Sequence, residues 1–292
     1  MSPDTRWFLT GAGGQLATAF ERLLTGEVFL AREQALDLRD AAAVKAAVRG
    51  FVPDVILHTA AYTDVDGAEA DEETAFAVNA LGTRNLIEAS RGTYTQVVSF
   101  SSDYVFDGAK HEPYVESDAT DPLSAYGRSK LAQERETLAW IRGTVVRTAW
   151  LFSANGHNFV KTILVAARER VAANPDSPEP LHVVDDQTGS PTYAGHLAEA
   201  LVDALLRDLG PGIYHFAGGG YCTWCELARE VVAVAGLPVE VFPITTAEAG
   251  RPAPRPPFSA LASERDISWL PPWQDGVRAA VDELLADTRP VS

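Results

Sequence analysis

The chain has 292 residues, of which 46% are hydrophobic, so it can bury the core of one large α/β domain or of two modest ones. Its 40 Asp and Glu against 24 Lys and Arg give a formal net charge of −16, which opposes general binding to nucleic acid or to an anionic membrane. The amino terminus has no basic stretch followed by a long apolar one, and no run approaches about 18 apolar residues, so we expect a soluble, cytoplasmic protein.

The amino-terminal half alternates β-branched or aromatic runs with alanine-rich helical runs. In chain order, the predicted strands are RWFLT, EVFLA, DVILHTA, QVVSFSS and GTVVRTA. The predicted helices are QLATAFERLLTG, DAAAVKAAVRG, DEETAFAVNALGTRNLIEASRG and residues 125–141. This alternation is typical of an α/β fold, and we predict a Rossmann-like, doubly wound parallel sheet. Ligands of such sheets bind beyond the carboxyl ends of the strands.

The pattern changes after Trp150, where helical, turn-rich and proline-rich stretches follow one another. We expect two interleaved units: a Rossmann-like domain from residues 1–152 and 183–232, and a smaller lobe from residues 153–182 and 233–292. The proline-rich stretch RPAPRPPFSAL could be a disordered linker. Three apolar residues in or near it favour a loop packed on the protein instead. They are Phe258, Leu261 and Trp269.

A glycine-rich turn joins the first predicted strand to the first helix in FLTGAGGQLATAF, through Gly11, Gly13 and Gly14. Glycines at such a turn let the backbone approach a pyrophosphate, and the helix N-terminus supplies free N–H groups. The spacing resembles a dinucleotide fingerprint that ends in Ala17. We therefore expect residues 1–152 and 183–232 to bind a dinucleotide.

The residue after the second strand bears on the choice of cofactor. An acidic side chain there would bind a ribose 2′-hydroxyl, whereas the sequence has Arg32, which suits a 2′-phosphate. We therefore expect NADPH, with NADH as the alternative; an exposed arginine with no ligand is the simpler interpretation of Arg32. Asp37 and Leu38 stand where a loop could reach the adenine.

Three residues in the middle of the chain form a candidate reacting centre. Tyr126 and Lys130 in SAYGRSK lie four residues apart, on one face of a predicted helix, and Ser102 ends the fourth strand. We expect the Lys130 ammonium to lower the pKa of the Tyr126 phenol. Tyr126 would then deliver a proton to a carbonyl oxygen oriented by Ser102, while a nicotinamide gives hydride to the carbonyl carbon.

Cys222 and Cys225 form the one C-x-x-C pair in the sequence. Such a pair can serve redox or metal chemistry. There is no second pair to complete a four-sulfur zinc site, and an amphipathic helix follows directly. We interpret both cysteines as packing residues and predict no metal site.

Together these motifs resemble the extended short-chain dehydrogenase/reductases, and among them the dTDP-4-dehydrorhamnose reductase family. The resemblance spans nearly the whole chain. It rests on TGAGGQLA, DVILHTAAYTDVDGAE, NALGTRNL, SSDYVFDG, YGRSKLAQE, RTAWLF, NFVKTIL, DDQTGSPT and RPAPRPPFSAL. It implies NADPH-dependent reduction of the C4 ketone of a dTDP-4-dehydro-6-deoxyhexose, with dTDP-4-dehydro-L-rhamnose as the expected substrate.

The resemblance also implies binding roles for individual residues. The residues expected at the cofactor, beyond those already named, are Gln15, Leu16, Ala60, Ala61 and Tyr62, with Gly14 on the pyrophosphate. Those expected at the deoxysugar are Ser102, Asp103, Tyr104 and Trp150. Those expected at the nucleotide end are Asn158 and Arg251. Family members often have threonine in place of Ser102, glycine in place of Ala17, and a shorter spacing from the arginine-proline pair to the next serine.

Two other functions remain open. One is a 4-ketoreductase for another dTDP-deoxysugar of natural-product biosynthesis. The other is a non-catalytic, cofactor-binding regulatory subunit, although the complete Ser102, Tyr126 and Lys130 set favours an enzyme. An epimerase, which keeps its nicotinamide through the cycle, is a weaker alternative. Some relatives form homodimers, so a homodimer is one expectation for this chain.

Overall fold

The computed structural model describes residues 4–267 and 270–286. Its strands are β1 (Arg6–Thr10), β2 (Glu27–Ala31), β3 (Val55–His58), β4 (Gln96–Ser102), β5 (Gly143–Thr148), β6 (Leu151–Phe152), β7 (Leu181–Val184), β8 (Thr188–Gly189), β9 (Thr192–Tyr193), β10 (Gly212–His215), β11 (Cys222–Thr223) and β12 (Val241–Ile244). Its α-helices are α1 (Gln15–Glu21), α2 (Ala41–Phe51), α3 (Val65–Ala70), α4 (Glu72–Phe76), α5 (Gly82–Ser90), α6 (Ala125–Leu138), α7 (Phe159–Ala173), α8 (Ala194–Leu206), α9 (Trp224–Val234), α10 (Thr246–Ala249) and α11 (Trp273–Ala286).

Six strands form the central sheet in the order β10-β5-β4-β3-β1-β2, and all neighbours are parallel. The strand order reverses at β1, because the chain moves outward to β2 and then returns to pair β3 on the other side of β1. In open α/β sheets the ligand crevice lies at such a reversal, beyond the carboxyl ends of the strands. The predicted doubly wound sheet is confirmed.

Alternating side chains of the strands build a core on each face of the sheet. Phe8 and Ile56 point to the face covered by α2 and α5, whereas Leu9 and Leu57 point to the face covered by α1 and α8. This is the period of two that a pleated strand imposes. Because both faces are covered, the strands are apolar nearly throughout and their polar residues collect at the strand ends.

The smaller lobe has a core of its own, made by α7, α9 and α11 packed with the short parallel pair of β7 and β12. Cys222 and Cys225 are 3% and 0% exposed in that core, and both are free thiols, so they serve as packing residues. The expected domain boundary needs revision here. Within residues 183–232, α8 packs on the central sheet, but α9 belongs to the core of the lobe.

The proline-rich stretch packs on the protein and crosses between its two parts. The Ser259 N–H donates to the carbonyl of Thr188 at 2.8 Å, and the Tyr114 N–H donates to the carbonyl of Ala260 at 2.8 Å. Leu261 is buried against Val105 and Phe106. The expected packed loop is confirmed for Phe258 and Leu261; Trp269 lies outside the described residues.

None of the helices described in residues 4–267 and 270–286 is both long and apolar enough to cross a membrane. In that same part of the chain, three or more His, Cys, Asp or Glu side chains are nowhere grouped as a metal ion would need.

Candidate active site

A cleft of about 1310 Å³ opens at the carboxyl edge of the sheet, bounded on the far side by the smaller lobe. Most of the residues predicted to bind the cofactor line it. They are Gly11, Gly14, Gln15, Leu16, Asp37, Leu38, Ala60, Ala61, Tyr62, Tyr126 and Lys130. Four residues predicted at the substrate also line it. They are Ser102, Tyr104, Trp150 and Asn158.

The glycine turn after β1 is shaped for close approach. Gly11 has φ +68°, and a Cβ placed on it would lie 2.8 Å from the backbone nitrogen of Ala60. Both the left-handed conformation and the contact exclude a side chain. The turn after β1 and the loop after β3 can therefore meet only through glycine at this position.

Helix α1 begins at this turn without a side-chain cap. Gly14 is its N-cap residue, and no side chain accepts the N–H groups of the first turn. Uncapped N–H groups at a helix N-terminus are donors for an anion, and the helix dipole favours negative charge there. The turn and the volume of the cleft therefore fit the pyrophosphate of a dinucleotide.

Arg32 is exposed and lies over the same turn, since a Cβ on Gly13 would come within 3.6 Å of Arg32 Nη1. Asp37 is bound by its neighbour Arg39, whose Nε and Nη2 donate to the two carboxylate oxygens at 2.9 and 2.8 Å. These bonds hold the pKa of Asp37 below its usual range. Arg39 and Glu33 line the cleft beside Asp37, so both signs of charge are present on this side.

Tyr126 lies in the first turn of α6, where Ser124 caps the helix by accepting from the N–H of Gly127 at 3.1 Å. The Tyr126 phenol lies beside the Ser102 hydroxyl, and its ring meets the edge of Tyr104 at 5.8 Å between centroids. The helix start thus brings the phenol to the end of β4, as the predicted reacting centre requires.

The prediction that Lys130 acidifies Tyr126 is wrong for this structure. Burial raises the pKa of the Tyr126 phenol, and the charge of Asp103 raises it further, whereas the bond to Ser102 opposes them only in part. Lys130 is 2% exposed, and burial lowers its own pKa to about 7, although Glu134 opposes this shift. A lysine that is only partly charged near neutral pH is a weak source of acidification.

Asp103 lies behind the wall of the cleft and is 2% exposed. Its two carboxylate oxygens accept from the hydroxyls of Ser102 at 2.9 Å and of Ser259 at 2.5 Å. Burial raises the pKa of the carboxyl to about 6. The expected contact of Asp103 with the sugar is therefore corrected: its contacts are with Ser102 and with the proline-rich loop.

Arg251 was expected at the nucleotide end, but its side chain is 66% exposed and lies 3.7 Å from Asp66. The arginine that lines the cleft is Arg255, whose side chain is 15% exposed. Arg255 donates to Asp66 at 2.9 Å, and its positive charge acts to lower the pKa of Tyr104. Ser259 follows Arg255 by four residues and Arg251 by eight.

Two indoles form one wall of the cleft. Trp150 and Trp224 stack with ring centroids 3.5 Å apart and planes within 5°. Trp150 has φ +47°, a strained conformation for a side chain of this size, and a Cβ on Gly189 would lie 2.3 Å from its ring. Trp224 Nε1 donates to Gln187 at 3.1 Å, which fixes the second indole.

Asn158 and Gln15 join the lobe to the glycine turn. Asn158 caps α7 by accepting from the N–H of Lys161, and its Nδ2 donates to Gln15 Oε1 at 2.9 Å. Both residues line the cleft, so the hydrogen bond between their side-chain amides joins the smaller lobe to the helix that follows the glycine turn.

The family model described as RmlD substrate binding domain matches residues 5–286. The chain belongs to this family. The dTDP-4-dehydrorhamnose reductase of Sinorhizobium fredii is 38% identical, with 97% of this chain and 98% of that protein covered. A probable dTDP-4,6-dihydroxy-2-methyloxan-3-one 4-ketoreductase of Streptomyces antibioticus is 38% identical, with 98% and 97% covered. The crystal structure of the Bacillus anthracis dTDP-4-dehydrorhamnose reductase in complex with NADP has a TM-score of 0.90 at 33% identity, with 96% and 99% covered.

The family predicted from the sequence is thereby confirmed, and so is the fold.

Within this RmlD-family chain, the sequence analysis missed Asn79, which is 0% exposed in a π-helical segment, Ala77–Leu81. Asn79 accepts from the N–H of Tyr62 at 2.8 Å and donates to Ser129 Oγ at 2.9 Å, so it ties the loop after β3 to α6. Its place in the NALGTRNL motif was the available signal, since π-helical turns often occur at functional sites.

Proposed function

We propose that this RmlD-family chain is an NADPH-dependent reductase of the C4 ketone of a dTDP-4-dehydro-6-deoxyhexose. Its substrate would be dTDP-4-dehydro-L-rhamnose and its product dTDP-L-rhamnose. Support comes from the family, from the names of the Sinorhizobium and Bacillus anthracis relatives, and from the NADP in the latter structure.

The observation that carries the proposal is the position of Tyr126. Its phenol lies beside Ser102 at the end of β4, in the same cleft as Lys130 and the glycine turn. A phenol in such a place can reach both a dinucleotide seated on the turn and a ketone seated on the strand end. When bound, the dihydronicotinamide supplies the hydride that the ketone carbon accepts.

Tyr126 is the proposed proton donor to the ketone oxygen. Because its pKa is raised, the phenol stays protonated through neutral pH, which a donor in the reductive direction needs. Lys130 Nζ donates to the carbonyl of Phe100 at 2.7 Å, and its remaining protons are proposed to face the nicotinamide ribose. Ser102, whose proton goes to Asp103, is proposed to hold the phenol as a hydrogen-bond acceptor.

The proposed cofactor residues are the predicted ones that line the cleft, from the glycine turn to Lys130, together with Arg32 above the turn. Arg32 would favour the 2′-phosphate of NADPH over NADH. The substrate would lie against the smaller lobe, with its sugar near Tyr104 and the Trp150–Trp224 pair and its diphosphate near Arg255. This division assigns the dinucleotide to the central sheet and the sugar nucleotide to the lobe.

A second substrate is supported by one observation. The Streptomyces antibioticus relative is as similar as the Sinorhizobium one, and its name gives a different dTDP-sugar as substrate. A 4-ketoreductase for another dTDP-deoxysugar is therefore the second candidate.

The test is NADPH oxidation by the purified protein with a panel of dTDP-4-dehydrodeoxyhexoses, followed by NMR of the products. We expect stoichiometric NADPH consumption and a new C4 hydroxyl, with the highest kcat/KM for the rhamnose precursor. A higher kcat/KM for another sugar would establish the second candidate. Binding of NADPH without turnover of any sugar would point to a regulatory subunit, and an altered sugar without net NADPH loss would point to an epimerase.

A further inference from the structure

Directly behind the reacting centre lies a buried ion pair whose two members do not themselves line the cleft. Glu134 and Arg147 are each 2% exposed. Arg147 Nε and Nη2 donate to the two oxygens of Glu134 at 2.8 and 2.7 Å. A buried pair of this kind is costly to desolvate, so its presence beside a reacting centre calls for a specific role.

Glu134 follows Lys130 by four residues in α6, so both side chains leave the same face of the helix. The two side chains hold consecutive residues of β4. Lys130 Nζ donates to the carbonyl of Phe100 at 2.7 Å, and Glu134 Oε1 accepts from the hydroxyl of Ser101 at 2.6 Å. The next residue of the strand is Ser102. Two hydrogen bonds, at Phe100 and Ser101, thus hold helix α6 to the end of β4. They lie directly before Ser102, the residue beside Tyr126.

We propose that Glu134 is a positioning residue for the reductase reaction: held by Arg147, it aligns α6 with the end of β4 and provides the negative charge that keeps Lys130 protonated. The proposal rests on the proposed function for its meaning in catalysis, but its structural part concerns the chain alone.

The electrostatic surroundings of Lys130 support this role. Burial lowers the pKa of Lys130 to about 7, and Glu134 is the group that raises it. His58 of β3 faces Lys130, but it is neutral, since burial lowers its pKa to about 3. Tyr126 on the same helix is neutral because its pKa is raised. Arg147 of β5 pairs with both oxygens of Glu134, on the side of the carboxylate that holds it in place.

The pair is also joined to the rest of the molecule. Arg147 Nη1 lies 3.4 Å from His215 Nε2, and the guanidinium sits over the ring of Phe106 at 5.1 Å. His215 Nδ1 in turn lies 2.8 Å from the carbonyl of Ala262, beyond the proline-rich loop. These contacts hold Arg147 in one orientation, so Glu134 is held as well.

The chain has four lysines, at positions 45, 110, 130 and 161, which allows a direct test. The protein is labelled with ¹³C,¹⁵N-lysine, and the Lys130 signal is assigned by its loss in Lys130→Arg. We expect this signal to titrate near pH 7 in the wild type. In Glu134→Gln the titration should fall by about one to two pH units, the effect of losing one charge about one helical turn away. In Glu134→Asp, which keeps the charge, it should lie close to the wild type.

Glu136→Gln is the matched control, because Glu136 lies on the same helix and pairs with Arg84 at the surface. It should leave the Lys130 titration unchanged. Should Glu134→Gln fail to fold, the double variant Glu134→Leu, Arg147→Met leaves no buried unpaired charge. It should lower the Lys130 titration by a smaller amount than Glu134→Gln, because the positive charge of Arg147 is lost as well.

Kinetics give the second readout. In Glu134→Gln the alkaline limit of kcat should move to lower pH by the same amount as the NMR titration. A Lys130 titration that is unchanged in Glu134→Gln, or equally low in the Gln and Asp variants, would overturn the proposal. Since the titration needs no substrate, an inactive wild type with the expected NMR shift would contradict the proposed function and leave this inference standing.

Discussion

The two ends of the cleft are built in different ways. At the cofactor end, the backbone of short local turns makes the surface, as where Gly11 meets Ala60 after neighbouring strands. At the substrate end, side chains from distant segments make it. Arg255 binds Asp66 across 189 residues, and Ser259 binds Asp103 across 156.

This difference indicates which substitutions should disturb ligand binding at each end of the cleft. The cofactor end depends on the absence of side chains, so an added methyl group is enough to disturb it. The substrate end depends on pairs of polar groups, so it is disturbed when one partner is removed and the other is left buried and unpaired. Tyr126 lies where the two ends meet, and a change there should affect turnover while leaving both binding surfaces in place.

The largest expected effect comes from Tyr126→Phe. Loss of the phenolic proton should lower kcat by about 10³-fold, within the usual range for a general acid, while NADPH affinity and thermal stability stay close to wild type. Steady-state kinetics and NADPH fluorescence titration measure the two quantities. Tyr94→Phe is the control, since Tyr94 is 89% exposed. Near-normal kcat in Tyr126→Phe would remove the phenol from the mechanism.

Next in size is Gly11→Ala, which tests the cofactor end. Its Cβ would lie 2.8 Å from Ala60 N in a residue with φ +68°, so the turn must open. We expect NADPH to bind roughly tenfold or more weakly and the protein to lose about 1–3 kcal/mol of stability. Gly50→Ala, in α2 with open space around it, should instead gain about 0.5–1 kcal/mol. Unchanged NADPH affinity in Gly11→Ala would refute the role of the turn.

Arg255→Met tests the substrate end. Loss of a largely buried guanidinium should raise the KM for the dTDP-sugar by about tenfold, with the KM for NADPH nearly unchanged. Arg251→Met changes the same residue type four positions earlier, where the side chain is 66% exposed, and should alter both KM values by less than about twofold. If the two variants behaved alike, the assignment of Arg255 over Arg251 would fail.

The smallest expected effect is that of Arg32→Ala on the choice between cofactors. Arg32 is exposed, and charge interactions at exposed positions contribute about 0.2–1 kcal/mol, so the NADPH/NADH ratio of kcat/KM should fall only a few-fold. A ratio that does not change would show that Arg32 does not contact the 2′-phosphate.

The same contrast explains what the sequence could predict. The glycine turn, the first five strands and the Tyr126–Lys130 pair are local patterns, and each lies where the sequence places it. Arg255 and Trp224 enter the site by long-range packing. The sequence has two arginine-proline pairs, and no local pattern distinguishes Arg255 from Arg251. Trp224 lies between Cys222 and Cys225, in a segment whose pattern indicates only a packed helix.

The direction of the pKa shift of Tyr126 cannot be predicted from the sequence, for a different reason. Sequence spacing identifies Lys130 as a neighbour, but the direction of a pKa shift depends on burial and on Asp103, whose carboxyl is enclosed by Ser102 and by Ser259 from the proline-rich loop. Likewise, the packing of α9 in the smaller lobe depends on contacts with α7 and α11 that no local pattern records.

The central claim is that hydride from NADPH and a proton from Tyr126 reach the same sugar ketone in this cleft. The most direct test uses NADPH deuterated at the transferable C4 position of its nicotinamide, with dTDP-4-dehydro-L-rhamnose as substrate and NMR of the product sugar. We predict one deuterium at C4 of the sugar with the wild type, and a rate of labelling reduced about 10³-fold with Tyr126→Phe. A product without deuterium at C4, or equal labelling rates in the two proteins, would contradict the account.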